Sequence, residues 1–429
     1  MAFDDAALRE LVRAGRVEEA RARCHDHCRD HPDDLEAWHL LGLIHGRLGD
    51  YPAAAACYDH LLEIAPGDAA ALYNRGRLHG LEGRWHEAAG CLRAATRQRP
   101  EFSEAWAGLG NMLYNLLELR ASEAAFRKAL DTPPALGDSR CYLEPPAERN
   151  GVPATHVWRA HVLSSLGRTQ RKLGLLDAAL DSFQQALRLR PDDAVTYANL
   201  LFLMSYHVLC SPGATLAAHE AWDKVHGAAG RAGRFSHERT GEAGKRLKIG
   251  YVSPHLCRHV VNFFFEPLLA HHDHEAVEVY CYAEVRHPDA VTARLQSHAD
   301  HWRSTVGMSD AQVAAMIHGD GIDILIDLAG HTTSSRLKVF TYKPAPVQAT
   351  YLGYCNTTGL EAMDYWITDE NLHPADTGEL AAETLYRLPR CWLCYRPDAH
   401  APPVTVPPAR PVTFGSLNDL SKMSPQVVA

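Results

Sequence analysis

An apolar segment in the second half of the chain ends abruptly in residues that can bind an oxygen-rich ligand. The stretch GIDILIDLAGHTTSSR places Asp327 in its apolar part and Gly330, His331 and Thr332 directly after it. Glycine permits a tight turn and the close approach of a ligand, and an imidazole or a hydroxyl can donate hydrogen bonds to phosphate or sugar oxygens. This combination predicts a binding loop.

Two more apolar segments end in the same way. VQATYLGYCNTTG supplies Gly353, Tyr354, Thr357 and Thr358. LKIGYVS is followed by PHLCRH, where we expect a helix to begin near His259 with free N–H groups suited to anions. Each loop alone also fits ordinary turn chemistry, but three such loops favour one shared site.

Short apolar strands alternate with helices throughout this half. That pattern predicts a doubly wound, mostly parallel sheet, in which ligands bind outside the carboxyl ends of the strands. All three loops fall at such ends. The predicted elements are strands at 247–253, 276–285, 322–330, 347–354, 363–369 and 383–389, and a helix at 310–321.

The first half of the chain repeats with a period of 34 residues. The spacing recurs in two series: Gly42, Gly76 and Gly110, and Pro66, Pro100 and Pro134. This period, with small residues where helices cross and prolines at turns, resembles the tetratricopeptide repeat. We predict an α-solenoid of five stacked repeats and a capping helix over 1–234, followed by a linker over 235–246.

A segment rich in proline and glycine, 135–156, interrupts the array and is predicted to be a surface loop, with contact to a partner as the alternative. Repeat arrays bind extended peptides in a concave groove. In one family of enzymes, asparagines two residues before the glycine position line that groove. Asn74 and Asn199 fit this frame and are our candidate acceptor-binding residues, whereas the other repeats carry other residue types.

Composition excludes several classes of function. The net charge of −9 and the pI near 6.3 argue against general nucleic-acid binding. The N-terminus has no apolar signal segment, and the longest apolar run is too short to span a bilayer and contains Glu266. We therefore expect a cytoplasmic protein that does not bind membranes, with its 11 cysteines reduced.

No metal site is predicted. The sequence contains no D-x-D pair, no phosphate-binding G-x-x-x-x-G-K-[ST] and no H-E-x-x-H. Cys24 and Cys28 in CHDHCRDH resemble metal ligands. In the repeat frame, however, they fall on helix-packing positions, where free cysteine behaves as a small apolar residue.

Five segments after the repeats resemble, in the same order along the chain, motifs of the protein O-GlcNAc transferase family (glycosyltransferase family 41). Their sequences are most similar to its SPINDLY-like branch. They are LKIGYVSPHLCRHVVNFFFEPLL, GIDILIDLAGHT, KPAPVQATYLGYCNTTG, MDYWITD and VTFGSLNDLSKMSP. The resemblance implies a GT-B architecture of two Rossmann-like lobes, with the N-terminal lobe over 247–405 and the start of the C-terminal lobe over 410–429.

The resemblance also implies a function. A sugar, GlcNAc or fucose, would pass from UDP-GlcNAc or GDP-fucose to Ser or Thr of proteins held by the repeats. The reaction would invert the anomeric carbon and need neither metal nor cofactor. His259 matches the family's active-site histidine, expected as a base or a donor contact. Asp327–Thr332 and Gly353–Gly359 match cleft-lining segments, and Asn418 and Lys422 are expected near the donor.

The chain departs from the family pattern at several points. His255 stands where the family usually has aspartate, and Cys355 stands where it has proline. The sequence ends soon after the second lobe would begin, so we expect either a fragment of a longer enzyme or a truncated relative. Two alternatives remain open: a non-catalytic repeat scaffold with a vestigial transferase lobe, and an asparagine-directed N-glycosyltransferase.

Overall fold

The computed structural model describes residues 3–143, 148, 151–205, 207–237, 244–397 and 403. It divides the chain into two compact units: one runs to Pro191, and the next begins at Asp192. Within the described residues, no helix combines the length and apolar character needed to cross a membrane.

The first unit is built from helices that follow one another in pairs joined by short turns. Five pairs lie in the described part of the unit, and they confirm the predicted α-solenoid of five repeats. The helices are α1 (Asp5–Arg13), α2 (Val17–Asp30), α3 (Leu35–Leu48), α4 (Tyr51–Ile64), α5 (Ala69–Leu81), α6 (Trp85–Gln98), α7 (Ser103–Asn115), α8 (Leu119–Asp131), α9 (Ala154–Lys172) and α10 (Leu176–Leu189).

The repeated glycines set the distance between the helices of a pair. A Cβ atom on Gly42 would come within 2.7 Å of the Tyr58 ring, and one on Gly110 within 2.8 Å of the Phe126 ring. Real Cβ atoms do not approach neighbours so closely, because close-packed interiors have no free volume to yield. The glycines therefore recur every 34 residues because the same contact between paired helices recurs along the array.

Cys24 and Cys28 are buried in the core of the first repeats, as the repeat frame predicted. The Cys24 thiol lies 3.3 Å from the carbonyl oxygen of Ala37 on the next helix. Among the residues that the structure describes, no group of three His, Cys, Asp or Glu side chains is arranged to hold a metal ion.

The second unit contains a seven-stranded sheet in the order β3-β2-β1-β4-β5-β6-β7, and all neighbouring strands are parallel. The predicted doubly wound sheet is thus confirmed. Its strands are β1 (Leu247–Ser253), β2 (Val277–Ala283), β3 (His301–Ser304), β4 (Ile324–Asp327), β5 (Val347–Thr350), β6 (Tyr365–Asp369) and β7 (Thr384–Leu388). Strand β3 was not predicted, because its four residues show no apolar run.

Helices cover both faces of this sheet. They are α11 (Ala194–Met204), α12 (Pro212–His226), α13 (Ala228–Ala232), α14 (Asn262–Leu269), α15 (Ala290–Gln296), α16 (Asp310–Asp320) and α17 (Leu337–Phe340). Successive strand residues point to opposite faces: Tyr251 packs in a core with α14 and α15, and Val252 in a core with α11, α12, α16 and α17.

Helices α11 to α13 belong to the second unit, whereas we had extended the repeat array to residue 234. Leu201 and Trp222 are buried in the core beneath the sheet. Part of the predicted linker packs there too, since the Phe235 ring stacks on His318 with centroids 4.3 Å apart. Helical periodicity shows that an apolar face exists but not which partner covers it. The predicted segment 410–429 lies outside the described residues.

Candidate functional site

The three predicted loops meet at one edge of the sheet. The chain runs outward from β1 through β2 to β3 and then returns to β4 on the other side of β1, so the strand order reverses between β1 and β4. Ligands of open α/β sheets bind in the crevice outside the carboxyl ends of the strands at such a reversal. We call the loops 254–261, 328–336 and 351–363, which follow β1, β4 and β5, the carboxyl edge.

Two histidines stack on each other in the loop after β1. The rings of His255 and His259 are nearly parallel, with centroids 3.9 Å apart and an interplanar angle of 7°. The Asn262 amide donates to the His255 carbonyl at 2.7 Å, and the His255 N–H donates to the Ser253 hydroxyl at 3.0 Å. The loop therefore holds His255 firmly beneath the more exposed His259.

Burial keeps both rings neutral. It lowers the pKa of His255 to about 4, helped by the neighbouring ring of His259, and it also lowers the pKa of His259. Nδ1 of His259 accepts the N–H of Val261 at 3.3 Å. The proton of the neutral ring therefore sits on Nε2, which makes Nε2 a hydrogen-bond donor.

The helix after β1 begins three residues later than predicted, and a turn that starts at His259 precedes it. Helix α14 begins at Asn262 and not near His259. The N–H groups of Asn262, Phe263 and Phe264 donate to the carbonyls three residues earlier, at 3.1, 3.2 and 3.1 Å. These groups are the ones that bind anions at a free helix start, and here a preceding turn already satisfies them.

Asp327 organises the loop after β4 instead of facing a ligand. Its carboxylate accepts the N–H groups of Ala329 at 3.1 Å and Gly330 at 2.7 Å, and the hydroxyl of Thr350 at 3.0 Å. The side chain is 1% exposed, and burial raises its pKa to about 6 despite these hydrogen bonds. The predicted cleft-lining role of this carboxylate is therefore replaced by a structural one.

The loops after β4 and β5 pack directly on each other. Gly330 has a φ of +52°, and a Cβ atom there would overlap the side chain of Tyr354. A Cβ atom on Gly353 would overlap the carbonyl of Leu328. Both glycines allow a close approach, but the approaching group is the neighbouring loop and not the ligand that we predicted at Gly330.

The polar groups of these loops are largely used inside the protein. His331 is 3% exposed and donates from Nε2 to the carbonyl of Thr358 at 2.7 Å, and burial lowers its pKa to about 3. The hydroxyls of Thr357 and Thr358 both donate to Glu383, the former at 2.6 Å. The half-buried Thr332 hydroxyl donates to a carbonyl of its own loop at 2.8 Å. These residues shape the carboxyl edge and do not project from it.

Another buried histidine, which sequence reasoning missed, supports the same loops. Nδ1 of His219 donates to the carbonyl of Thr215 at 2.7 Å, and Nε2 accepts the hydroxyl of Tyr354 at 2.8 Å. The rings of Trp222 and His331 pack edge to face beside this pair, with centroids 4.8 Å apart. Since His219 lies on a helix with ordinary amphipathic spacing, no local signal marked it.

Two exposed arginines also lie at the carboxyl ends of strands and were not among our candidates. Arg258 is in the loop after β1, and Arg286 follows β2. Guanidinium groups bind phosphate in a bidentate geometry. The position of Arg286 just beyond a predicted strand was a signal available in the sequence.

The two candidate acceptor-binding residues lie in different units. Asn74 is buried on α5 and donates to the carbonyl of Arg140 in the inserted segment at 2.8 Å. Asn199 is on α11 in the second unit and donates to the carbonyl of Val195 one turn earlier at 3.0 Å. The predicted ladder is therefore not a feature of one array. Two predicted donor-binding residues lie outside the described residues: Asn418 and Lys422.

Comparison with known proteins agrees with this architecture. The Glycosyl transferase family 41 model matches residues 201–396. Tetratricopeptide repeat models match residues 6–69, 39–84, 73–136 and 162–195. A solved mutant O-GlcNAc transferase of Thermobaculum terrenum aligns over 100% of this chain and 66% of its own, with 29% identity and a TM-score of 0.57.

Two curated relatives carry the same name, probable UDP-N-acetylglucosamine--peptide N-acetylglucosaminyltransferase SPINDLY. The protein of Oryza sativa subsp. japonica is 36% identical over 264 residues, which are 58% of this chain and 28% of the relative. The Arabidopsis thaliana protein is 42% identical over 189 residues, which are 42% of this chain and 21% of the relative.

The fold defines a tetratricopeptide-repeat protein with a Rossmann-like lobe of the GT-B kind. Residues 201–396 match glycosyltransferase family 41, and the chain is similar to SPINDLY-like members of the protein O-GlcNAc transferase family. It spans little more than a quarter of the rice relative's length and about a fifth of the Arabidopsis relative's.

Proposed function

We propose that this chain is part of a glycosyltransferase that moves a sugar from a nucleotide-sugar donor to Ser or Thr side chains of proteins. The observation that carries this proposal is the half-exposed His259 beside the point where the strand order reverses. The names of the SPINDLY relatives, which describe N-acetylglucosamine transfer to peptide, support the reaction class.

The reaction inverts the anomeric carbon and needs no metal. The acceptor oxygen bonds to the anomeric carbon as the bond to the nucleoside diphosphate breaks, and the hydroxyl proton passes to water. Negative charge then develops on the leaving diphosphate, where preorganised donors and cations stabilise it. In our proposal, Arg258 and Arg286 supply cations and His259 supplies an N–H.

The hydrogen bonding of His259 favours one of the two roles that the family resemblance left open. A general base needs an unprotonated nitrogen facing the hydroxyl. Nδ1 of His259 is occupied by the Val261 N–H, and the neutral ring carries its proton on Nε2. We therefore assign His259 as a hydrogen-bond donor to a donor-substrate oxygen and not as the base.

The donor in this proposal is UDP-GlcNAc, with GDP-fucose as the second candidate. Calorimetric titration of the chain with UDP and with GDP tests the site directly. We expect UDP to bind, and His259→Gln to weaken binding about tenfold, which corresponds to ~1.4 kcal/mol for a lost hydrogen bond to a charged ligand. Absence of binding by this chain and by a version continued past Ala429 would remove the proposal.

Acceptor proteins are recruited by the repeat array, which in our proposal binds extended peptide segments. Transfer is measured by mass spectrometry of a Ser- and Thr-containing peptide incubated with donor and enzyme. A peptide in which alanine replaces every Ser and Thr is the matched control, and it should remain unmodified.

A non-catalytic scaffold is the second candidate function, and one observation favours it. The donor groups of His331, Thr357 and Thr358 are used within the protein, so much of the carboxyl edge is committed to structure. Peptide binding without nucleotide binding would select this alternative.

A further inference from the structure

The first half of the inserted segment, residues 135–143, lies across the repeat helices and is held by its backbone. Arg9 on α1 donates hydrogen bonds to the carbonyls of Ser139, Tyr142 and Leu143 at 2.7, 2.9 and 2.8 Å. One guanidinium thus binds three main-chain oxygens of a segment more than a hundred positions away in the sequence. We predicted a surface loop here, and this half of it instead packs on the repeat helices, although Ala135, Gly137 and Ser139 are exposed.

A second repeat residue continues this backbone recognition. The Asn74 amide on α5 donates to the carbonyl of Arg140 at 2.8 Å. Next to it, Arg99 at the end of α6 forms an ion pair with Asp138 at 2.9 Å. Donors from separate repeats therefore hold four carbonyls and one carboxylate of the segment. Main-chain hydrogen bonds of this kind give affinity in peptide recognition, and side-chain pockets give specificity.

Side chains of the segment fill apolar positions between the repeats. Cys141 is 1% exposed and packs in a core with Tyr73 and Phe102. Leu143 packs against the core of the first repeats. Beside these residues a cavity of about 400 Å³ remains, lined on the repeat side by Tyr58, Arg77, Leu78 and their neighbours. The repeat surface can therefore hold further ligand atoms beside residues 135–143.

We propose that residues 135–143 are an intramolecular ligand of the repeat groove, occupying the place of a bound peptide. The segment is folded in two turns: the Asp138 N–H donates to the Ala135 carbonyl at 2.9 Å, and the Cys141 N–H donates to the Asp138 carbonyl at 3.0 Å. The partner that the groove fits is a second segment of the same chemistry that can form the same turns: a carboxylate, then a small apolar or thiol side chain, then an aromatic and an aliphatic residue. Such a peptide binds when residues 135–143 are displaced. This proposal rests on the proposal above that the repeat array binds acceptor peptides, but its test needs no transferase activity.

The test uses a fluorescent peptide with the sequence ALGDSRCYL, copied from residues 135–143, and measures binding by anisotropy. In the main variant, which we call the linker variant, a linker of nine Gly and Ser residues replaces residues 135–143 within the full chain. We expect this variant to bind the peptide at least tenfold more tightly than the unaltered chain, and a scrambled peptide to bind neither. When added to the linker variant, Asn74→Ala should weaken binding of the fluorescent peptide at least fivefold. Asn115→Ala, at an exposed position on α7, should not weaken it.

Arg9→Ala in the otherwise intact chain provides a second route if the linker variant fails to fold. Loss of three carbonyl contacts should speed amide exchange in residues 135–143 and increase peptide binding. Equal binding to the unaltered chain and a folded linker variant would overturn the proposal. An unfolded linker variant together with no gain of binding in Arg9→Ala would identify the segment as a fixed part of the core, and would overturn it equally. A failure of nucleotide binding would affect only the transferase proposal.

Discussion

The imidazole rings of His255 and His259 lie 3.9 Å apart in a nearly parallel stack at the carboxyl end of β1. Two protonated rings at this distance would repel each other, and burial already disfavours the charged form of both. Nδ1 of His255 is buried without a hydrogen-bond partner among the described residues. The pair therefore presents a neutral surface at the position where the resemblance described above leads us to expect an aspartate.

Replacing His255 by Asp should change the titration of His259. A carboxylate beside the ring favours imidazolium, so the pKa of His259 should rise in His255→Asp relative to the unaltered chain. NMR titration of the His259 ring protons measures this shift. His255→Asn, which removes the ring without adding charge, is the control and should give a much smaller rise. Equal shifts in the two variants would show that ring stacking, and not charge, controls His259.

The buried His219 should make the fold sensitive to mild acid. Burial lowers its pKa from 6.5 to about 4, although its hydrogen bond to the Thr215 carbonyl acts in the opposite direction. Between these two values the unfolded chain binds a proton that the folded chain excludes. The contribution of His219 to stability is therefore fully present above pH 6.5 and is lost as the pH falls towards 4, by about 1.4 kcal/mol per pH unit.

Urea unfolding at pH 7.5, 6 and 5 measures this effect. His219→Gln should flatten the dependence of unfolding free energy on pH, since glutamine can still accept the Tyr354 hydroxyl but does not titrate. His287→Gln, at an exposed position, should leave the dependence unchanged. Parallel curves for all three proteins would contradict the assignment.

Gly330 should not tolerate a side chain. Its φ of +52° and its contact with Tyr354 both oppose a Cβ atom, so Gly330→Ala should destabilise the second unit by roughly 2–4 kcal/mol. Gly319→Ala, on α16 with open space around it, should instead stabilise by about 0.5–1 kcal/mol through helix propensity. Thermal unfolding of the two variants compares them directly, and a tolerated Gly330→Ala would mean that the loops after β4 and β5 can separate.

Arg286 should contribute to nucleotide binding through its charge. We expect Arg286→Ala to weaken UDP binding about tenfold at low salt, with less effect at high salt because exposed charges are screened. The thermal stability should not change, since the side chain is exposed. Arg13→Ala, an exposed arginine of the repeat array, serves as the control. Unchanged affinity in Arg286→Ala would remove this residue from the proposed site.

Local patterns predicted most of the secondary structure. Strand β1 was predicted over 247–253 and is found there, and helix α16 ends one residue before its predicted end. Strand β3 was missed because its residues are half-exposed and few. The end of the repeat array was misplaced because an apolar helix face looks the same whether a repeat or a sheet covers it.

The site was predicted less completely than the fold. Sequence reasoning located His259 and the loops of the carboxyl edge, because ends of parallel strands meet at one edge of a sheet. It did not find His219, because its hydrogen-bond partner Tyr354 lies 135 residues away in the sequence. It also assigned His331 and Thr357 to a ligand, since nothing local shows that Thr358 and Glu383 already satisfy them.

By itself, the sequence determined the repeat period, the alternation of strands and helices, and which loops carry histidine and threonine. These are properties of residues close together along the chain, governed by the periods of helix and strand. Only the tertiary structure decided which polar groups face inward and that residues 135–143 cross the repeats. Those outcomes depend on pairs such as Asn74 and Arg140, which are distant in sequence, and a hydrogen bond forms only where folding brings both partners together.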